Sequence, residues 1–302
     1  MPINPSPAVL RACEVLEVLS RQPTEPLSLA EITRRVGVPR ATCDAVLLAL
    51  AAGGYVVRRE DDLRYVLGAR GVTLGTAARL ANATLRAASD EAEQLARRSS
   101  ACVAVTTRDG DETRVAEVFD FGPPFSVRAH AGQSIPMRPP FGAVFVAWDS
   151  PDDVERWIDT PELADEAEAA RYRIALAAVR RRGYSVTVAT DRRPDLASAL
   201  ETLTERPDAD DARRARDELM RQMMHSEYLP AGLDDADAPL RVTQMSAPVF
   251  DRSGRVTVAI MVLGPNYDVT SDEVGALGDD LVKAAQRATT AAGGHPSERV
   301  DA

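Results

Sequence analysis

Arginine carries most of the chemistry available in the first seventy positions of this chain. Arg34, Arg35, Arg40, Arg58, Arg59 and Arg64 are grouped there with the hydroxyls of Ser28 and Thr42, the thiol of Cys43 and the carboxylate of Asp44. A guanidinium presents a planar fork of donors that matches a phosphate, or the major-groove edge of guanine, with two hydrogen bonds at once. Ser28, as the cap of a helix, sits among free backbone amides that suit a phosphate. Asp44 can accept from a cytosine amine, although near a helix N-terminus it is also stabilised by the helix dipole. Such a set suits recognition of a polyanion and its base edges rather than bond-making. The plainer reading of any single arginine is a solvated charge, and that of Ser28 a helix cap.

Sets that would catalyse are missing from the sequence. His130, His225 and His295 are its only histidines, and none has metal-ligand spacing to another His or Cys. Cys13, Cys43 and Cys102 are too few and too scattered for a disulfide framework or a metal cluster. There is no Gly-x-Ser-x-Gly elbow and no phosphate loop. Acidic runs such as Asp208-Ala209-Asp210-Asp211 read as solvated faces. The expectation is no enzyme activity, no cofactor and no metal.

The net charge of −10 over 302 residues argues against nucleic acid until its distribution is considered. Residues 1–75 hold nine Arg against eight Asp or Glu, so the acidity belongs to the remainder. No apolar run approaches the roughly 18 residues that a membrane span needs. Met1-Pro2-Ile3-Asn4 lacks the basic-then-apolar pattern of a secretion signal. The expectation is a cytoplasmic protein with no membrane partner.

The elements that position the arginines follow from local signals. Ser6-Pro7 starts a helix over about 7–21, and Gln22-Pro23-Thr24-Glu25-Pro26 breaks the chain. Ser28 and Glu31 form a capping box for a second helix that Gly37 ends. A third helix spans about 39–52, with Val46, Leu47 and Leu50 as its buried stripe, and Gly53-Gly54 stops it. Residues 55–59 and 63–67 then form a hairpin around Glu60-Asp61-Asp62. Helix, helix, tight turn, helix and hairpin within about 60 residues describe a winged helix-turn-helix, in which the start of the third helix meets base edges.

A single helix over 72–98, able to pack on a second copy, leads into a mixed half. Strands are expected at Ala101–Thr107 and Thr113–Phe119 around the turn Asp109-Gly110-Asp111, and at Ser126–Ala131. Helices follow at about 141–148, 151–159 and 161–182, then strands at Tyr184–Thr190, Val242–Phe250 and Arg255–Leu263. Thr270 and Glu273 cap a final helix to about 292. The charged stretch 191–240 reads as a surface insertion, in which Leu219, Met220, Met223 and Met224 form at most one amphipathic face. The domains are therefore 1–70, a linker helix 71–98, and 99–293 with its insertion, followed by a disordered tail 294–302. The fold class is α+β.

On these residues the chain resembles the IclR family of bacterial regulators. Leu27-Ser28-Leu29-Ala30-Glu31-Ile32 with Val36-Gly37-Val38-Pro39-Arg40-Ala41-Thr42 is similar to that family's helix-turn-helix, and Gly54-Tyr55-Val56 with Arg64-Tyr65-Val66-Leu67-Gly68 to its wing. Gly132, Ile135-Pro136-Met137, Gly183-Tyr184 and Ala247-Pro248-Val249-Phe250-Asp251 follow its effector-binding pattern in order. The resemblance implies a GAF-like effector domain with a mainly antiparallel sheet flanked by helices. It also implies a homodimer or homotetramer, and control of operator binding by a small organic molecule. Departures are visible: Ala41 stands where the family has Ser, Ala45 where it has a DNA-facing Arg, and Phe141-Gly142-Ala143-Val144-Phe145 replaces its Gly-Lys-Ala turn. Aligned on the family, the pocket residues are Phe141, Gly142, Thr187 and Gln244, and the expected ligand is more apolar or aromatic than a two- or three-carbon acid. Two plainer alternatives remain open. Phe141 and Phe145 would fill the pocket, or the chain would be a sensor or scaffold that has lost sequence-specific DNA binding.

Overall fold

The computed structural model describes residues 4–20, 25–122, 129–160, 166–189, 227–233, 239–265 and 267–296, which fall into two compact units divided between Ala81 and Asn82.

In the first unit, α1 (Pro7–Ser20) begins at a proline, whose fixed φ suits the first helical position. It buries Val15, Val18 and Leu19. α2 (Leu29–Val36) opens on the Ser28 capping box and closes at Gly37, which turns to φ 73° and donates its N–H to the Thr33 carbonyl at 3.0 Å. Val38-Pro39 turns the chain into α3 (Arg40–Ala52). The wing, β1 (Val56–Arg58) and β2 (Tyr65–Leu67), is antiparallel, with Val56 opposite Leu67 and Arg58 opposite Tyr65. Each strand is shorter than the sequence suggests. The wing is fastened to the segment before α2, because Leu27 and Tyr65 exchange both backbone hydrogen bonds, at 3.0 and 2.7 Å. Gly68 lets β2 return close to α3, since a Cβ there would lie 2.3 Å from the Gly54 carbonyl oxygen. Ile32, Cys43, Leu47, Val56 and Tyr65 meet in the core between these elements.

The expected single helix over 72–98 is two helices, α4 (Ala69–Ala81) and α5 (Ala83–Ser99). Asn82 leaves helical geometry (φ −98°, ψ 99°), and its side-chain oxygen accepts the Leu85 N–H at 3.0 Å. This is the competition with the helical backbone that makes asparagine a cap. The break coincides with the division between the units. α4 buries none of its residues, whereas α5 buries Ala88, Ala92, Leu95 and Ala96.

The second unit is built on a seven-stranded antiparallel sheet of order β5-β4-β3-β9-β8-β6-β7. β3 (Cys102–Asp109) and β4 (Glu112–Asp120) form a hairpin, and β5 (Ser134–Pro136) adds an edge. Three helices, α6 (Ala143–Val146), α7 (Pro151–Ile158) and α8 (Glu166–Arg182), precede β6 (Ser185–Ala189) and β7 (Glu227–Tyr228). β8 (Val242–Phe250), β9 (Val256–Leu263) and α9 (Ser271–Ala292) complete it. Val103, Val105, Val186, Met245, Val249 and Ile260 pack against α5 and α9. α6, α7 and α8 gather around Phe145, Trp157 and Leu176 in a separate core that reaches Phe250 and Ala259.

Three expectations change here. Residues 126–128 of the expected strand Ser126–Ala131 lie outside the described residues, 129–131 carry no strand, and the sheet edge is β5 instead. Most of the insertion, with Leu219, Met220, Met223 and Met224, also lies outside the described residues. Its end does not stay on the surface: β7 pairs with β6, Val188 opposite Tyr228, and Leu240 bridges to Val269. Of the expected tail, 297–302 lies outside the described residues, while Gly294 packs so closely that a Cβ would sit 1.9 Å from the Phe250 carbonyl oxygen.

Two glycines of α9 give opposite expectations. A Cβ at Gly278 would lie 2.3 Å from the buried Tyr184 ring, and one at Gly275 meets nothing within 4 Å. Gly278→Ala therefore lowers the urea midpoint, at a cost of about 1–3 kcal/mol. Gly275→Ala raises it by up to about 1 kcal/mol, the helix-propensity difference. Shifts of the same sign would contradict this packing.

Candidate nucleic-acid interface and effector cleft

The start of α2 is a closed polar knot. The Ser28 N–H and Oγ both donate to Glu31 Oε2, at 2.7 and 2.6 Å, and the Glu31 N–H returns to Ser28 Oγ at 3.3 Å. Arg64 reaches the same knot from β2, donating from Nη1 to Glu31 Oε2 at 3.1 Å and to the Pro26 carbonyl at 2.9 Å. The bonds from Ser28, helped by Arg64 and Arg35, hold the Glu31 carboxyl below its ordinary value of 4.5. The first turn of α2 thus already holds one carboxylate, and Ser28 acts as a cap.

The other arginines sort by what they touch. Arg59 grips Asp61 with Nε at 3.1 Å and Nη2 at 2.5 Å, which brings the Asp61 carboxyl down to about 2. Arg58 lies over the Tyr65 ring at 5.7 Å, on the exposed side of the wing. Arg35 is half-buried beside Glu31. Arg34 and Arg40 are exposed and, among the described residues, make no ion pair or hydrogen bond. Thr42 and Asp44 are half-buried at the start of α3.

Cys43 corrects the sequence reading. It is 0% exposed and packs in the core with Leu47, so its thiol faces inward and reads no base. The exposed face of α3 instead presents Arg40, Ala41, Ala45 and Leu48, with Leu48 64% exposed. The wing adds Leu63, 55% exposed and held at φ 58°, a left-handed backbone that is rare for a leucine.

In the second unit the four predicted pocket residues, Phe141, Gly142, Thr187 and Gln244, come together in one cleft on the sheet face away from α5 and α9. Gly142 enters it at φ 79°, and a Cβ there would lie 2.9 Å from Met137. The Phe141 carbonyl accepts the Trp157 indole N–H at 2.9 Å, which pins this segment. Sequence reasoning missed the cleft's polar lining of Thr106, Thr113, Ser185 and Ser246. The signal was there: hydroxyls at alternating positions of otherwise apolar strands point to one face. Their bonds are long, with Ser185 to the Ser246 carbonyl at 3.4 Å and the Gln244 amide to Thr187 Oγ1 at 3.5 Å, and Thr113 Oγ1 is buried without a partner. The cleft is therefore more polar than expected, yet none of its lining side chains is charged. It is also closed, with about 20 Å³ of free space, room for a single water. Phe141 and Phe145 are 3% and 0% exposed and fill it. Among the described residues no group of three or more potential ligands could hold a metal ion, and no helix is long and apolar enough to cross a membrane.

This geometry can be set beside known proteins. Residues 8–60 match the IclR helix-turn-helix domain. The first unit is thus similar, over those residues, to an IclR helix-turn-helix domain. No curated protein matches the chain. Among solved structures, an IclR-type transcriptional regulator from Alicyclobacillus acidocaldarius is similar at 22% identity, over 96% of this chain and 100% of that one, with a TM-score of 0.68. Pseudomonas aeruginosa HmgR is similar at 20% identity, over 94% and 98%, with a TM-score of 0.65. An IclR homologue from Microbacterium hydrocarbonoxydans, solved with 4-hydroxybenzoate, is similar at 16% identity, over 94% and 98%, also at 0.65. Over nearly its whole length the chain therefore has the IclR regulator fold: the helix-turn-helix, then an antiparallel sheet with helices.

The Glu31 knot sets a pH dependence. Its carboxyl is more acidic folded than unfolded, so its contribution is complete above the unfolded value and is lost as pH falls through the folded one. Glu31→Gln should cost about 1 kcal/mol near neutral pH, the range for a lost helix cap. The gap to the parent should narrow below about pH 4.5 in thermal unfolding. A gap independent of pH would show that the charge of Glu31 does not matter.

Proposed function

We infer that this chain is a transcription regulator whose first unit binds operator DNA and whose second unit answers to a small organic molecule. One observation carries the reading: Arg40, exposed and unpaired among the described residues, stands at the first turn of α3 in an IclR helix-turn-helix domain. That is where a recognition helix meets base edges. Arg40 with Thr42 and Asp44 reads bases, and Ala41, Ala45 and Leu48 offer apolar contacts suited to thymine methyl groups. Arg34, Arg35 and Arg58 take backbone phosphates. Arg59 and Arg64, tied to acids, hold the wing in shape first and lend only part of their charge to DNA. Arg40→Ala should weaken specific binding to DNA upstream of the chain's own gene by about 1–3 kcal/mol and relax preference at one base position. An unchanged footprint removes Arg40 from the reading set. No binding of the parent protein even at low salt favours the protein-interaction scaffold instead.

The second unit is read as a GAF-like sensor. A carboxylate in its cleft would find hydroxyls and an amide but no cationic lining residue. This favours an uncharged hydroxylated aromatic ligand over a two- or three-carbon acid; the protein of the same fold solved with 4-hydroxybenzoate shares with this choice the hydroxylated ring, not the carboxylate. The cleft has to open around Phe141 and Phe145 to admit such a ring, so binding and conformational change are one event, a shift in population toward an open form. In a thermal-shift screen, uncharged phenols should raise the unfolding temperature. Stabilisation by pyruvate or glyoxylate alone would overturn this choice of ligand.

The reading extends to assembly. α4 buries none of its residues, and Val72 and Leu74 are 73% and 57% exposed, as are Val9 and Leu10 of α1 at 61% and 49%. A helix this short is marginal alone in water, and a second copy would cover these side chains. Operators with two half-sites suit such a homodimer. No catalytic role is assigned, and the place of action is the cytoplasm, where the DNA is.

A further inference from the structure

The second unit holds a larger cavity than the cleft, on the other side of the same sheet. It has about 300 Å³ of free space, at the lower end of the range for small-molecule sites. Val242, Met245 and Val262 line it from the sheet, and Val269, Val274 and Leu277 from α9 and the turn before it. Ser99, Ser100, Ala101 and Cys102, where α5 turns into β3, close a third side. Tyr267, 62% exposed, stands at the rim.

We propose that this cavity is a second small-molecule site, distinct from the cleft, and that it takes a neutral aromatic molecule of one or two fused rings. Size comes first: apolar cavities of roughly 150 Å³ hold a benzene ring, and this one is twice as large. Charge comes second. Glu273 is the one carboxylate in the lining, and its Oε2 already accepts the Thr270 N–H at 2.8 Å and hydroxyl at 3.0 Å, which holds the carboxyl below its ordinary value. An anionic ligand would meet that charge with no cationic lining residue to offset it. The site therefore rejects the organic acids that an IclR-type cleft would be screened with first. Polarity comes third. Buried Met245 and Cys102, 1% and 3% exposed, present soft sulfur atoms, which favour contact with an aromatic ring.

The strand pleat makes the two sites separable. Successive side chains of a strand point to opposite faces. On β8, Gln244 lines the cleft and Met245 the cavity; on β9, Met261 lines the cleft and Val262 the cavity. Met245 lies opposite Val262 in the ladder, and Ser246 opposite Met261. Each site therefore owns one buried methionine methyl as a reporter.

The test uses the full chain with ¹³C-methyl-labelled methionine and indole as the probe. The two signals among the seven methionines are assigned with Met245→Leu and Met261→Leu. The expected result is a saturable shift of the Met245 methyl, with Met261 little changed. Leu277→Trp, which fills the cavity from a half-buried position, should weaken binding by tenfold or more while the folded spectrum persists. If Leu277→Trp does not fold, the parent titration still decides. A shift confined to Met261 places indole in the cleft and overturns the proposal. No saturable shift at either methyl up to the solubility of indole overturns it as well. Loss of DNA binding or of phenol binding in the cleft would leave this result standing, so the two readings fail separately.

Discussion

Leu27 and Tyr65 exchange both of their backbone hydrogen bonds across the first unit, and the surface proposed to meet DNA is arranged by that pair. Buried backbone donors and acceptors must find partners, and here the partners come from segments on either side of α2 and α3. The exchange sets the wing beside the start of α2, and this brings Arg64 to Glu31 and Ser28. With α2 fixed at one end by that knot and at the other by Gly37, α3 has little freedom in where it emerges. Its inner stripe, Cys43 and Leu47, is committed to the core, and its outer face is left with Arg40, Ala41, Ala45 and Leu48. The interface is thus what remains of α3 after the core has been satisfied.

The same constraint shapes the second unit on a larger scale. Its antiparallel ladders place β9 between β3 and β8, with Val103 opposite Val262 and Met245 opposite Val262 from the other side. Once register is fixed, alternation leaves no choice about which side chains face α5 and α9 and which face the cleft. One face gathers valines and Met245, the other the hydroxyls of Thr106, Thr113, Ser185 and Thr187. Weakly bonded hydroxyls on one face and an apolar face behind them suit a sheet that is adjustable at its polar surface. Phe141 and Phe145 cover that surface.

Much of this was legible in the sequence where the cause is local. The capping boxes at Ser28 and Thr270, the stop at Gly37 and the hairpin turn at Gly110 are written in a few consecutive residues, and the structure has them. Phe141, Gly142, Thr187 and Gln244 were placed in one site by family resemblance, not by pattern. What escaped was tertiary. Asn82 breaks a run that looks helical throughout, because its side chain competes for the backbone where the division between the units lies. β5 and β7 are too short to stand out, and exist because longer strands offer them an edge. Cys43 was readable after all, since it lies four residues before Leu47 on the buried stripe. The apolar cavity had no signature, because its walls come from five separated stretches of chain.

The central claim is that the first unit recognises DNA through a small set of charged contacts on α2, α3 and the wing. The most direct measurement is the affinity of the parent protein for its own upstream DNA as a function of salt, alongside a scrambled duplex of equal length. A linear loss of log affinity with log salt is predicted, with a slope set by the phosphates its arginines neutralise. A constant advantage of the specific site over the scrambled one at each salt concentration completes the prediction. Equal affinity for both duplexes at all concentrations, or a slope near zero, would contradict it.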